Sequence, residues 1–160
     1  MPDVVRARYD EPAHAAALIA LLDAYARDPA GGGEGLSDHA RENLIGELAA
    51  RPFVFSVLAF DGDTPVGLVN AVEGFSTFAC RPLVNVHDVV VLEPYRRRGI
   101  AAQMFAEVEA IARERGACKL TLEVLEGNTA ARQLYAALGF ADYQLDPEMG
   151  HTRFLQKWLD

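Results

Sequence analysis

The sequence predicts a single α/β domain of 160 residues, a mixed and mostly antiparallel sheet with flanking helices. Three observations predict it. Residues 53–75 hold two runs rich in aromatic and β-branched side chains, joined by Asp61-Gly62-Asp63, which reads as a hairpin. Residues 84–115 pass from an apolar run through a basic turn into apolar positions at helical spacing. Residues 10–52 carry helix-start residues and helical periodicity twice over. A chain of this length can bury one sizeable core, and no repeat, low-complexity stretch or linker divides residues 1–160.

Each element has its own signal. Val4 to Tyr9 reads as a first strand, and Asp10-Glu11-Pro12 starts a helix, with Asp10 as N-cap and Pro12 in the first turn. Leu18, Ile19, Leu22 and Tyr25 carry that helix to about Arg27. The stretch Pro29 to Gly35 breaks it. Ser37 caps a second helix, with Leu44, Ile45 and Leu48 on its apolar face, and Arg51-Pro52 ends it. Phe53 to Phe60 and Pro65 to about Phe75 are strands. Ser76 to Pro82 reads as less regular, and Val84 to Leu92 as a further strand, stopped by Glu93-Pro94. Ala101, Met104, Phe105, Val108, Ile111 and Ala112 make the apolar stripe of a helix from Ile100 to Arg115, and Gly116 stops it. Leu120, Leu122 and Val124 alternate with Thr121 and Glu123 in a strand. A last helix runs from Asn128 to Gly139, and Phe140 to Leu145 with Thr152 to Leu159 can pair as a final hairpin.

Composition narrows the function. The net charge of −8 argues against nucleic acid as a general partner. Cys80 and Cys118 sit in apolar contexts without metal spacing, and His14, His39, His87 and His151 are scattered, so no metal site is expected and both thiols read as small buried groups in a reducing compartment. No leader-like pattern opens the chain and no apolar run has spanning length, so a cytoplasmic protein without a membrane partner is expected.

The chemistry concentrates at Arg96-Arg97-Arg98-Gly99-Ile100-Ala101, an R-x-x-G-x-A turn at the head of a helix. The first N–H groups of a helix lack intrahelical partners and the dipole adds partial positive charge there, which suits a phosphate. Gly99 lets a ligand approach the backbone, Ala101 keeps the first turn thin, and Arg96 and Arg98 lend charge. Downstream, residues 128–140 read N-x-x-A-x-x-x-Y-x-x-x-G-F.

In this order and spacing the two motifs resemble the GCN5-related N-acetyltransferases, which move acetyl from acetyl-CoA to an amine. The resemblance covers most of the chain. It implies that the backbone N–H groups of Arg97, Arg98, Gly99, Ile100 and Ala101 hold the pyrophosphate of CoA. It implies that the Val89-Val90-Val91 strand, through the main chain of Val89 and Val91, splays from the strand of Glu123 and receives the pantetheine arm. It also implies that Tyr135 protonates the departing thiolate, and that Asn128 bonds the pantetheine or caps its helix. A phenol suits that task because it stays protonated at neutral pH.

The base is open between two residues, Glu123 and His87, and a third route in which water takes the proton or the amine is already neutral. Many members of the family place a glutamate near the position of Asn85, and an amide cannot take a proton there. Glu123 projects away from Leu122 and Val124, and its context is similar to ribosomal-protein N-terminal alanine acetyltransferases, where the equivalent glutamate is the base. His87 is the other candidate, because imidazole titrates in the useful range. Strand alternation sends His87 and Asp88 to opposite faces, which argues against a dyad. Acceptor recognition is expected on Tyr25 to Leu36, where Asp28 and Glu34 can meet a cation, and at Phe75-Ser76-Thr77-Phe78, whose phenylalanines read more readily as core than as pocket wall. The expected reaction is direct attack by an amine of a small molecule or peptide on acetyl-CoA. Its rival is a non-catalytic acyl-CoA sensor or interaction module of the same fold. A dinucleotide-binding domain fails for lack of the glycine fingerprint. A homodimer is left open.

Overall fold

Alternating apolar residues along 54–91 build the centre of a five-stranded sheet. In the computed structural model β2 (Val54–Asp61), β3 (Thr64–Ser76) and β4 (Arg81–Val91) form an antiparallel meander. β1 (Asp3–Arg6) pairs antiparallel with β2, and β5 (Leu120–Leu122) pairs parallel with β4, giving the order β1-β2-β3-β4-β5. The structure describes residues 1–143 and 145–160, in two units, 1–123 and 124–160.

The sheet is covered on both faces. α1 (Pro12–Arg27) and α2 (Asp38–Ala49) lie on one, where Ala17, Leu18 and Leu21 bury against Leu58, Leu68 and Val90. Each fully buried leucine there contributes roughly 1.5–3 kcal/mol. α3 (Ile100–Glu114) covers the other face through Met104, Phe105, Val108 and Ile111. Its approach explains Gly67. A Cβ at that position would lie 3.0 Å from the Met104 thioether and 3.2 Å from the Ala59 Cβ.

Several boundaries differ from the sequence expectation. β1 ends at Arg6, although the Ala7 N–H still donates to the Ser56 carbonyl at 2.9 Å. Asp10 pairs with Arg8 at 3.1 Å and leaves the N-cap to Glu11, which makes no side-chain capping bond; Pro12 opens the helix as expected. Ser37 caps α2 by accepting from the Ala40 N–H. Residues 76–82, read as irregular, are the tip of a long hairpin. Ser76 pairs with Arg81, and Cys80 takes the left-handed conformation in the turn. Phe75 and Phe78 are 59% and 96% exposed, so neither is core, and Cys80 is exposed too, while Cys118 is half-buried. β5 stops at Leu122, short of Val124.

The second unit is built on α4 (Thr129–Ala137). The Asn128 side chain accepts from the Ala131 N–H at 3.2 Å, and Gly139 turns the chain out of the helix at φ 93°. The expected hairpin of Phe140–Leu145 with Thr152–Leu159 is not formed among the described residues; Gln144 lies outside them. Between the two segments Asp146 accepts from the Glu148 N–H and starts a 3-10 turn at Pro147–Met149, which takes the chain out of extended conformation. The Thr152 hydroxyl donates to the Tyr143 carbonyl at 3.2 Å. No helix of the described residues is long and apolar enough to cross a membrane.

Candidate active site

The site begins with a register fault in β4. Asp88 pairs with Asn70, but Val86 pairs with Ala71, so His87 is an extra residue, a β-bulge. A bulge changes which amides face which neighbour. Below it, the Val84 N–H donates to the Lys119 carbonyl, toward β5. Above it, the Leu92 N–H donates to the Val66 carbonyl, toward β3. By the alternation of an antiparallel strand, the N–H groups of Val90 and Leu92 serve β3, and those of Val89 and Val91 point to the β5 side. β5 no longer accompanies β4 there, because their pairing ends at Val86 with Leu122. Two main-chain N–H groups thus face a gap between parted strands.

The gap leads into the basic turn. A 3-10 turn at Glu93–Tyr95 follows β4; then Arg97 takes φ 61° and Gly99 takes φ 78°. Left-handed residues alternating along a turn aim successive N–H groups into one concavity. Gly99 is also the N-cap of α3, with no side chain to occupy the helix N-terminus. A Cβ built on Gly99 meets no protein atom within 4 Å, so the space beside it is open to a ligand. This concavity fits a pyrophosphate through backbone N–H groups. The arginines are arranged in particular ways. Arg96 donates through Nε to the Val91 carbonyl at 2.9 Å and lies 3.7 Å from Asp28. The Arg98 guanidinium sits 5.2 Å over the Tyr95 ring.

On the α1–α2 face, polar side chains cross the sheet. The Asn85 amide donates to the Thr121 hydroxyl at 2.9 Å and to the Glu123 carboxylate at 3.2 Å. Asn85, the apparent gap in the family pattern, therefore orients the exposed Glu123. Tyr9, Ser56, Asn70 and Asp88 form a second line. The Tyr9 and Ser56 hydroxyls are 2.9 Å apart, Ser56 donates to Asn70 Oδ1 at 2.6 Å, and Asn70 Nδ2 donates to Asp88 Oδ2 at 3.0 Å. Burial pushes the Tyr9 phenol above its ordinary pKa. Burial, followed by the charges of Asp88 and Asp28, pushes the Tyr25 phenol up. A cavity of about 190 Å³ opens on this face, lined by His87 and Asp88 together with Leu22, Leu44 and Leu48. His87 and Asp88 therefore share one cavity, because the bulge suspends strict alternation there.

The loop after α1 is tied down. Asp23 accepts from the Leu36 N–H, Arg27 and Arg41, which hold its carboxyl below its usual range, the Arg27 bond first. Asp28 accepts from the Ala30 N–H, and Glu34 is exposed. In the second unit the Tyr135 ring lies 5.8 Å from Phe140 in an edge-on contact, and Asn128 serves as helix cap. Among the described residues no group of three or more His, Cys, Asp and Glu side chains is placed to hold a metal ion. The Tyr9–Ser56–Asn70–Asp88 line was not anticipated from sequence. Its traces are Ser56 and Asn70, polar residues inside otherwise apolar runs.

A strand edge with N–H groups left by its neighbour, followed by an open helix start, has the form that suits a phosphate-tailed thioester. The profile of the Acetyltransferase (GNAT) family matches residues 15–140. The chain belongs to this GNAT family. It is 40% identical over 57 residues to the uncharacterized N-acetyltransferase YycN of Bacillus subtilis (strain 168), covering 36% of each chain. It is 36% identical over 59 residues to the thialysine N-epsilon-acetyltransferase of Bos taurus, covering 37% of this chain and 35% of that one. These matches thus span just over a third of the curated relatives' length. A crystal structure of a probable acetyltransferase shares the fold, with a TM-score of 0.81 at 19% identity over 99% of both chains.

Proposed function

We propose that this GNAT protein is an acetyl-CoA-dependent N-acetyltransferase that acetylates a primary amine of a small molecule or peptide by direct attack. The observation that carries the reading is the phase change at His87. It directs the N–H groups of Val89 and Val91 into the gap between β4 and β5, just before the left-handed turn at Arg97 and Gly99. Because the family profile spans residues on both sides of the boundary after Glu123, we take both units as one functional domain.

Acetyl-CoA supplies a thioester whose carbonyl carbon bonds to the amine nitrogen as the carbon–sulfur bond breaks. The residues of this chain handle charge and protons. The turn from Arg97 to Ala101 binds the pyrophosphate. The Val89 N–H stabilises negative charge developing on the carbonyl oxygen. Glu123, aimed by Asn85, accepts the proton that the ammonium must lose. Tyr135, by its place in the family motif, returns a proton to the departing sulfur. Direct attack is supported by the cysteines, since Cys80 sits in the β3–β4 turn and the Cys118 N–H donates to Pro82.

The rival is an acyl-CoA sensor of the same fold, favoured by the neutral Asn85. The Asn85–Glu123 hydrogen bond weighs for turnover, because it gives the amide a role in holding a carboxylate. Release of CoA thiol over a panel of amines decides between them. Turnover with at least one amine is expected, and Glu123→Gln should lower kcat by roughly 10²-fold. Tight CoA binding without turnover on any amine would establish the sensor. Unchanged kcat in Glu123→Gln would move the base elsewhere.

A further inference from the structure

Hydrogen-bond chemistry gives the Tyr9–Ser56–Asn70–Asp88 line a direction. Ser56 has one hydroxyl proton, and it goes to Asn70 Oδ1, which can only accept. Tyr9 must therefore donate to Ser56. Asn70 then donates through Nδ2 to Asp88 Oδ2. Three donors in series end on one carboxylate, and each bond polarises the next. Ser56 is 2% exposed, in a strand whose neighbours Phe55, Val57 and Leu58 are buried and apolar. An apolar side chain would suit that position by packing alone. The hydroxyl is explained by what it connects. The line fixes Oδ2 of Asp88 and leaves Oδ1 to meet a ligand.

Apart from Asp88, Asn70 and His87, the cavity is walled by aliphatic and aromatic side chains. Leu22 comes from α1, Leu44 and Leu48 from α2, Val54 and Phe55 from β2, and Val72 from β3. Asp88 is the one carboxylate among its lining residues. The nearby Asp28 is engaged by the Ala30 N–H and by Arg96. The volume of about 190 Å³ is below the roughly 300–1,000 Å³ of pockets for drug-sized ligands. One negative charge in a small and mostly apolar chamber, with Asn70 and His87 as its other polar lining, selects one cation on a small apolar body.

We propose that Asp88, aimed by the one-way chain from Tyr9 through Ser56 and Asn70, binds the acceptor's ammonium group, and that the acceptor is a monoamine on a compact apolar body. This deepens the N-acetyltransferase reading and rests on it. Asp88 is the residue that touches the acceptor. Tyr9, Ser56 and Asn70 are positioning residues that keep its free oxygen turned into the cavity.

Steady-state kinetics with acetyl-CoA and the full chain test this, using isoamylamine, phenethylamine, ethanolamine, putrescine and kanamycin as acceptors. The two apolar monoamines should exceed the other three in kcat/KM by about tenfold or more. Asp88→Asn should raise the KM for isoamylamine about tenfold, the scale of one lost charge-assisted contact, and leave the KM for acetyl-CoA within about twofold. Asn70→Ala should shift the same constant in the same direction by less, and Asp88→Glu should recover part of the loss. Should Asp88→Asn fold poorly, Tyr9→Phe removes only the first donor and should still raise the amine KM selectively. Preference for putrescine or kanamycin, or an amine KM unmoved by both Asp88→Asn and Asn70→Ala, overturns the proposal and spares the acetyltransferase reading. Absence of turnover with every amine overturns both.

Discussion

Residues 84–86 and 89–91 of β4 are Val-Asn-Val and Val-Val-Val, two valine-rich triplets on one strand with different tasks. In the first, the amide facing β5 is spent on the sheet, as when Val84 donates to Lys119. In the second, the amides facing that side find β5 already ended. His87, the one extra residue between them, shifts the phase. Side-chain composition does not separate structural strand from candidate catalytic strand. Register does, because it decides which N–H groups the sheet consumes and which it leaves for a ligand.

Proline scanning across the second triplet sharpens this contrast with the largest expected effect. Val90→Pro removes an N–H that serves β3 and disturbs a residue 5% exposed in the core, so a loss of about 3 kcal/mol or more is expected in chemical denaturation. Val89→Pro removes an N–H that the sheet does not use. It should cost distinctly less stability than Val90→Pro, yet lower turnover by about 10²- to 10³-fold, as loss of an oxyanion donor does. Equal destabilisation by the two prolines would refute the phase assignment.

A smaller effect separates backbone strain from ligand blockage in the turn. Gly99 and Gly116 have φ of 78° and 76°, and at neither would a Cβ meet protein within 4 Å. Gly99→Val and Gly116→Val should therefore lose similar stability, about 1–2 kcal/mol, from the left-handed backbone alone. In calorimetry only Gly99→Val should weaken CoA binding, by tenfold or more, about 1.4 kcal/mol. Matching CoA affinities in the two variants would remove the pyrophosphate from Gly99.

The layout of the sheet and the basic turn were legible in sequence because local rules fix them. Gly62 closes a hairpin, Ser37 and Asn128 cap helices, and the period-3.6 stripe of α3 covers one face of the sheet. What escaped depends on contacts between elements. Alternation sends His87 and Asp88 to opposite faces, and only the pairing of β4 with β3 reveals the extra residue. Asn85 reads as a missing glutamate until β5 brings Glu123 within hydrogen-bond distance. Phe75 and Phe78 have core composition but sit at the tip of a hairpin longer than the sequence suggests. Ser56 and Asn70, 14 residues apart, meet because β2 and β3 pair them, and neither residue alone signals a line to Asp88.

Amide hydrogen exchange of β4, read residue by residue with and without saturating acetyl-CoA, tests the central claim most directly. In the free protein the amides of Val84, Val90 and Leu92 should be protected by their strand partners, and those of Val89 and Val91 should exchange faster. Acetyl-CoA should slow Val89 and Val91 selectively and leave Val84 nearly unchanged. Val89 and Val91 amides already protected in the free protein, or unaltered by bound acetyl-CoA, would contradict the claim that the bulge at His87 frees them for the thioester.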